Sequence, residues 1–440
     1  MKKHTINAKR IMRTLVCVVA CLTMLFSVVA CKPGDDPSSD DTQTTAGTTD
    51  TGDTTAETTE ASAEDTTTDG TSDTQPAGPG TDSTRAPTTR PQTTPQATVA
   101  PTSPTSVKTH DFTKLNGVGK VWMMPSNAKF YELITNMDQW KNTRSVIDVI
   151  AFGDGSLESH GYNGAQMNMT RLEEGFAALR NANLPLGLEV GAIKEWGYQE
   201  NNGVGTHYGE KIFRTQNVRW KKYIEAGADF VAIAMDEPLT NMVYTGKDAW
   251  GWVGNYNDKM EFAAVKTAEF IKCVREEYPH MVVGNIEGSG FSANQLKNFV
   301  TRLNDETKKQ SGKGLDFFRM DVDWMRYKDN PVELEKKWRE MKQVEDHCRS
   351  IGVAFSMIYW GADAIYTPGA ANAEANNKAF HDWIMRHGHD YKAVGGKPDQ
   401  YVIQTWTIVQ GAPMPPSVIP ETKTHTFTKS LLEFYDTFIK

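Results

Sequence analysis

The sequence predicts a (β/α)8 barrel over residues 108–440, preceded by an export signal and a long polar tether. Three observations indicate this fold class. Eight apolar runs rich in β-branched residues recur along these 333 residues, and each is followed by an amphipathic stretch of helical period. In addition, no glycine-rich dinucleotide turn supports the alternative, an open doubly wound sheet.

The first 30 residues have the composition of an export signal. Five basic residues fall within the first 13, and a mostly apolar stretch over residues 11–30 ends in the letters VVAC. A plain transmembrane anchor is the alternative, because about 20 apolar residues can span a bilayer. The stretch resembles a bacterial lipoprotein signal, in which small residues precede an invariant cysteine. The resemblance implies that Cys31 is the lipidated first residue of the mature protein, on the extracellular face of the cytoplasmic membrane.

Residues 31–107 predict a disordered tether. They are almost only Thr, Asp, Ser, Pro, Ala, Gly, Gln and Glu, without any aromatic residue. Such a segment cannot bury enough apolar surface to offset the entropy of ordering. A flexible chain of this length spans roughly 50 Å. The tether has 13 acidic residues against three basic ones, a net charge of −10, and the signal contributes +5; because the whole chain has −8, about −3 remains for residues 108–440. A nearly neutral domain has no electrostatic footprint for nucleic acid, so that partner is not expected.

The predicted strands are short, apolar and bounded by turn residues, as expected for a parallel sheet buried on both faces. They cover residues 119–124, 146–152, 186–193, 230–235, 281–286, 317–322, 353–359 and 401–406. The helical stretches cover residues 127–140, 170–182, 217–227, 259–279, 292–306, 331–352, 373–388 and 428–440. Cys273 and Cys348 fall in the fourth and sixth outer helices, which are not neighbours in a barrel, so we expect no disulfide between them.

Barrel enzymes carry their chemistry on the loops that follow the strands. Carboxylates, amides and indoles are frequent at these positions. Aromatic rings stack on the C–H faces of sugars, and carboxylates and amides bind hydroxyls in pairs, so a carbohydrate ligand is favoured over a phosphate or an apolar one. The predicted substrate-binding residues are Trp122, Asp154, Glu195, Trp196, Asp321, Trp324, Tyr359, Trp360, Asp363, Gln404 and Trp406.

Several of these positions also have a purely structural interpretation. A tryptophan at a strand end can simply close the barrel. Asp321 and Asp323 alternate along one strand, so they are either active-site acids or partners of the nearby arginines. Glu189 lies inside the third strand, where we expect it to satisfy a neighbouring polar group.

The most specific feature is the pair Asp236 and Glu237, followed by Pro238, at the end of the fourth strand. Two adjacent carboxylates repel each other, which tends to raise one pKa toward the range of a general acid. A glycosidase needs one protonated carboxyl group for the leaving oxygen and a second group for the anomeric centre. The pair supplies the first of these groups.

The barrel resembles a glycoside hydrolase, and the letters MDEP are similar to the Asn-Glu-Pro that follows the fourth strand in the large retaining clan of such barrels. The resemblance implies that Glu237 is the acid/base. That clan also places a nucleophilic Glu at the end of the seventh strand. Here the stretch MIYWGADAIY has no Glu, and Asp363 is its only acid.

Two other arrangements would supply the second group. The pair is also similar to the Asp-Glu of substrate-assisted N-acetylhexosaminidases, which implies that Asp236 orients an acetamide that attacks; the usual His-x-Gly-Gly is absent before it. Alternatively, Glu287 works with Glu237 across neighbouring strands. The predicted catalytic residues are therefore Glu237, Asp236, Glu287 and Asp323.

These patterns predict a lipid-anchored, monomeric cell-surface glycoside hydrolase acting on a polysaccharide or oligosaccharide. The alternative is a non-catalytic carbohydrate-binding protein on the same scaffold, which the missing seventh-strand Glu favours; other barrel chemistry, such as a lyase, is a third option. No cofactor is predicted. A metal site is not expected either, because His381 and His387 are six residues apart, which is not a same-face helical spacing.

Overall fold

A computed structural model describes residues 117–154, 157, 168–191, 208–244, 255–361, 373–405, 408–409, 412–413 and 415–440. It confirms the predicted fold class. Eight parallel strands close into a barrel in the order of the chain, with β1 pairing with β8. The predicted signal, the tether, Cys31, Glu195, Trp196, Asp363 and Trp406 lie outside the described residues.

Each barrel strand coincides with one of the eight predicted runs. The strands are β1 Val121–Met124, β2 Val149–Gly153, β3 Leu186–Val190, β4 Phe230–Asp236, β5 Val282–Gly288, β6 Phe317–Asp321, β7 Ala354–Tyr359 and β8 Gln400–Gln404. A two-stranded antiparallel sheet, β9 Ile408–Val409 and β10 Ala412–Pro413, follows the barrel.

The described α-helices surround this barrel. They are α1 Phe130–Thr135, α2 Lys141–Val146, α3 Met169–Asn181, α4 Tyr208–Glu225, α5 Pro238–Tyr244, α6 Tyr256–Glu277, α7 Ala293–Ser311, α8 Pro331–Ser350, α9 Ala373–Ala393 and α10 Phe427–Phe438. Among these helices, none combines the length and apolarity that crossing a membrane requires. Cys273 on α6 and Cys348 on α8 are both free thiols.

Local sequence fixes where several helices begin and end. The α6 and α7 helices start with capping boxes, in which Asn255 and Asp258, or Ser292 and Gln295, exchange side-chain to backbone hydrogen bonds. The α7 helix ends at Gly312, whose φ of +78° is the left-handed conformation that glycine adopts without strain.

Large rings fill the amino-terminal end of the barrel interior. The Trp122 and Phe317 rings meet edge to face with centroids 5.7 Å apart. Glycines on neighbouring strands make room for them, because a Cβ at Gly284 would collide with the Phe317 ring and a Cβ at Gly187 would lie 2.9 Å from Trp122. These rings fill the barrel interior at this end, so we expect a ligand to bind at the carboxyl ends of the strands, as in other barrel proteins.

Candidate active site at the carboxyl ends of the strands

Strand register determines which side chains point into the barrel mouth. Arg319 on β6 points inward, since its guanidinium lies 4.4 Å from the centroid of the Trp122 ring and bonds to side chains of β7 and β8. Asp321 is two residues further along β6 and therefore faces the same side. Asp236 pairs with Ile286, which in turn pairs with Arg319, so Asp236 also points inward. Two half-buried carboxylates thus converge on the mouth.

A polar chain runs from the barrel interior to its mouth. Arg319 is fully buried, donates to Ser356 Oγ at 3.0 Å and to Gln400 Oε1 at 2.6 Å, and interacts electrostatically with Glu189. Burial lowers the pKa of Arg319 to about 9, and the charge of Glu189 acts in the opposite direction. Glu189 accepts a hydrogen bond from Gln404 Nε2 at 3.0 Å. The carboxylate in the third strand therefore satisfies polar neighbours, as its position in the sequence indicates.

Glu237 has a strained backbone at the end of β4. Its N–H continues the sheet by donating to the carbonyl of Ile286 at 3.0 Å, but its φ is +51°, a left-handed value that costs a non-glycine residue about 1–3 kcal/mol. Asn241 in α5 donates both its N–H and its side-chain amide to the Glu237 carbonyl. The helix that follows therefore holds Glu237 in this conformation.

The Glu237 carboxylate lies against Gly288 at the end of β5. A Cβ on Gly288 would be 2.8 Å from Glu237 Oε1, so any other residue at this position would displace the carboxylate. Gly288 occupies an inward-facing position of β5, because it pairs with the inward-facing Asp321. Gly288 thus lies between Glu237, whose carboxylate contacts it, and Asp321, its paired residue on β6.

Glu287 points away from the mouth into the layer between the sheet and α5. Its carboxylate accepts four hydrogen bonds, from Leu239 N at 2.9 Å, Thr240 N at 3.0 Å, Thr240 Oγ1 at 2.9 Å and Asn285 Nδ2 at 3.1 Å. Burial raises the pKa of Glu287 to about 7, while these bonds act to lower it. Its contacts are those of an anchor for the first turn of α5.

The predicted aromatic residues within the described ranges are packed into the protein. The Trp122 ring is inside the barrel, with its Nε1 donating to the carbonyl of Val118. Tyr359 faces outward against Tyr401 and Phe434. Trp324 and Trp360 are buried against each other, with ring centroids 5.3 Å apart. In these positions, none of the four offers a broad ring face to a ligand at the mouth.

Three further predicted residues divide between the mouth and its surroundings. Asp154 is buried and accepts a hydrogen bond from Gln216 of α4 at 2.8 Å, which ties β2 to an outer helix. Asp323 lies at the rim, where Arg326 Nε donates to it at 2.6 Å and its N–H donates to Ser289 Oγ at 3.0 Å. Gln404 faces the mouth through its bond to Glu189. The structure therefore brings together Glu189, Asp236, Glu237, Asp321 and Gln404.

Sequence reasoning missed the loop that organises this cluster. Residues 288–291 read GSGF, and they contact Glu237, Asp321, Asp323 and Tyr244 through side-chain packing or backbone bonds. Two glycines separated by one residue directly after a strand were the available signal, since glycine at such a position often marks a close approach.

Among the described residues, no group of three or more His, Cys, Asp or Glu side chains could hold a metal ion. His387 is buried on α9 between the rings of Trp324, Trp338 and Tyr359.

No protein-family model and no curated protein sequence matches the chain. Solved structures that are similar to it include a thermostable mutant of a xylanase from Cellvibrio japonicus, at 12% identity with a TM-score of 0.43, over 73% of this chain and 99% of the xylanase. A mannohexaose complex of the β-mannanase of Thermomonospora fusca has 13% identity and a TM-score of 0.37, over 67% of this chain and 80% of the mannanase. An aldolase, QR15, has 9% identity and a TM-score of 0.33, over 67% and 91% of the two chains.

Proposed function

We propose that the protein is a cell-surface glycoside hydrolase that cleaves O-glycosidic bonds of a polysaccharide or oligosaccharide, with Glu237 as the general acid. The observation that carries the proposal is the strained turn at Glu237, which directs its carboxylate over Gly288, the residue that pairs with Asp321. Strain of this kind persists only where surrounding contacts enforce it, and it is concentrated at functional sites.

The proposed chemistry uses carboxylates in two roles. Glu237 donates its proton to the glycosidic oxygen as the bond to the anomeric carbon breaks. Asp321 is the second carboxylate in this proposal, because it pairs with Gly288 and faces the mouth. It acts either on the anomeric carbon or on a water molecule. Asp236 also faces the mouth, so it is placed to orient an acetamide if the substrate carries one.

A location at the cell surface is the second part of the proposal. An apolar export signal ending in Cys31 and a tether of roughly 50 Å support a lipid-anchored enzyme that reaches glycans close to its own membrane.

A non-catalytic carbohydrate-binding protein is the alternative. Two observations favour it: the seventh strand ends without a Glu, and the four hydrogen bonds of Glu287 leave it no role at the mouth. In this alternative, the carboxylates at the mouth only bind sugar hydroxyls.

The variant Glu237→Gln distinguishes a hydrolase from a non-catalytic binding protein. We expect the variant to bind a responsive glycan as well as the wild type does, but to hydrolyse it about 10²- to 10⁴-fold more slowly, because an amide cannot donate the proton. Hydrolysis by the purified protein is screened on a glycan panel, and binding is measured by calorimetry. Retained hydrolysis in Glu237→Gln would remove Glu237 from the acid role, and binding without hydrolysis by the wild type would establish the alternative.

Two further variants sharpen this experiment. Gly288→Ala places a methyl group 2.8 Å from Glu237 Oε1, so the carboxylate must move, and we expect kcat to fall although residue 237 is still Glu. Glu335→Gln removes an exposed carboxylate that pairs with Arg339 on α8, and it serves as the matched control with unaltered turnover.

A further inference from the structure

Tyr244 is an exposed aromatic residue beside the candidate site. It is the last residue of α5, and 53% of it is exposed. Among the described residues, the other exposed large hydrophobic side chains are Met169, Val218 and Val332, none of which is aromatic. Every aromatic side chain that the sequence predicted for the mouth and that the structure describes is buried. Among the described Phe, Tyr and Trp residues, Tyr244 is therefore the one that is mainly exposed to solvent.

The ring of Tyr244 is held in a fixed orientation. Its hydroxyl donates a hydrogen bond to the carbonyl of Gly290 at 3.0 Å. The ring stacks on the buried Phe291, with centroids 5.4 Å apart and planes inclined by 29°, and Tyr256 packs on Phe291 in turn. One side of the ring is thus backed by protein, which makes it a preorganised plate that loses little conformational freedom on binding.

Tyr244 and the Glu237 carboxylate rest on the same short loop. The carboxylate lies against Gly288, and a Cβ on Gly290 would be 3.3 Å from the Tyr244 hydroxyl. Gly288 and Gly290 are two residues apart, so their Cα atoms are separated by at most about 7 Å. Side chains on a helix lean toward its amino terminus, which for α5 is the end at Glu237. One glycan chain can therefore touch both groups.

We propose that Tyr244 is the stacking platform for the sugar on the leaving-group side of the cleaved bond. This inference rests on the proposed function. Asp236 and Asp321 face the barrel axis, so the anomeric carbon lies on that side of Glu237. The sugar that departs with the protonated oxygen then lies on the rim side, over Tyr244. The exposed face of the ring meets the C–H face of that sugar, as the negative potential of an aromatic face favours.

The test compares two kinds of substrate. An oligosaccharide has a sugar as its leaving group, whereas a glycosyl fluoride of the same sugar releases only fluoride, which cannot stack on a ring. For Tyr244→Ala we expect the ratio of kcat/KM for the oligosaccharide to kcat/KM for the glycosyl fluoride to fall about tenfold, which corresponds to the loss of one stacking contact. Tyr244→Phe keeps the plate, so we expect its ratio to stay within about twofold of the wild type.

Val218→Ala on α4, which changes a side chain that is 63% exposed, is the control for removing surface apolar area. An unchanged ratio in Tyr244→Ala, or an equal loss on both substrates, would overturn the proposal. Glycan binding separates this inference from the proposed function. If the wild type hydrolyses no glycan, the proposed hydrolase is wrong, and weaker binding by Tyr244→Ala than by Val218→Ala still supports the platform, while equal binding refutes it.

Discussion

Replacing Glu287 with Gln distinguishes an anchor of α5 from a catalytic acid. The wild-type carboxylate accepts four hydrogen bonds, two of them from the backbone N–H groups of Leu239 and Thr240 in the first turn of α5. The amide of the variant retains one accepting oxygen. Its NH2 group replaces the other oxygen and faces the N–H and the hydroxyl of Thr240.

The loss of unfolding free energy in Glu287→Gln depends on which hydrogen-bond donors find a new acceptor. The Thr240 hydroxyl can rotate and accept from the new amide, but the Thr240 N–H cannot, so at least one buried N–H is left without a partner at about 1–3 kcal/mol. At a pH above about 7, where Glu287 is ionised, the attraction between its negative charge and the amino terminus of the helix is lost as well, at roughly 0.3–1 kcal/mol. We therefore expect the free energy of unfolding to fall by about 2–3 kcal/mol.

Urea denaturation of Glu287→Gln and wild type measures this change, with Glu335→Gln as the control. Thr240→Val removes the hydroxyl bond to Glu287 and the 3.3 Å bond that Thr240 Oγ1 accepts from Gly288 N–H, and we expect a smaller loss in the same direction, about 1 kcal/mol. Folded Glu287→Gln should keep most of its turnover at a temperature below its transition. An unchanged denaturation midpoint together with a 10²-fold or larger loss of kcat would refute the anchor and make Glu287 the partner of Glu237.

Two other predictions concern distant parts of the chain. Burial lowers the pKa of His387 to about 3, below the value of about 6.5 in the unfolded chain. Between these two pH values the unfolded state binds more protons than the folded state. The free energy of unfolding therefore decreases as the pH falls through this window. At pH 5 the loss is about 2 kcal/mol; urea denaturation at pH 5 and pH 7 should show it, and an identical pH dependence in His387→Leu would contradict it. If Cys31 is lipidated, radiolabelled fatty acid is incorporated into the wild type and not into Cys31→Ser; equal labelling of both proteins would leave a plain membrane anchor or another acylation site.

All eight strands were predictable because each is an apolar, β-branched run bounded by turn residues. Helix boundaries were less predictable from the sequence, and α4 is the clearest case. It begins at Tyr208, nine residues before the predicted start. The extra turns contain Gly209 and Thr215, which are weak helix formers, but tertiary packing overrides propensity there. Phe213 is buried, and Gly209 lies so close to the carbonyl of Lys266 that a Cβ would collide with it.

The candidate site was predictable as a set of strand ends, but not residue by residue. In a parallel strand buried on both faces, apolar residues occupy inward and outward positions alike, so the hydrophobic pattern does not reveal which residues face the interior. A shift of one residue exchanges the two sides. Asp236 and Asp321 fall on inward positions, whereas Glu287 and Tyr359 fall on outward ones, although all four lie at the same end of the barrel.

Backbone conformation also limits what the sequence predicts, and Glu237 is the example. A residue before proline is normally extended, so the letters MDEP predict that Glu237 continues the path of β4. Its φ of +51° instead turns the chain sharply into α5 and directs the side chain toward Gly288. The sequence around Glu237 does not signal this turn, because the strained conformation depends on the space that Gly288 leaves and on the hydrogen bonds from Asn241. Glu287 anchors the first turn of that same helix. This buried carboxylate, which does not face the mouth, therefore stabilises the conformation of Glu237.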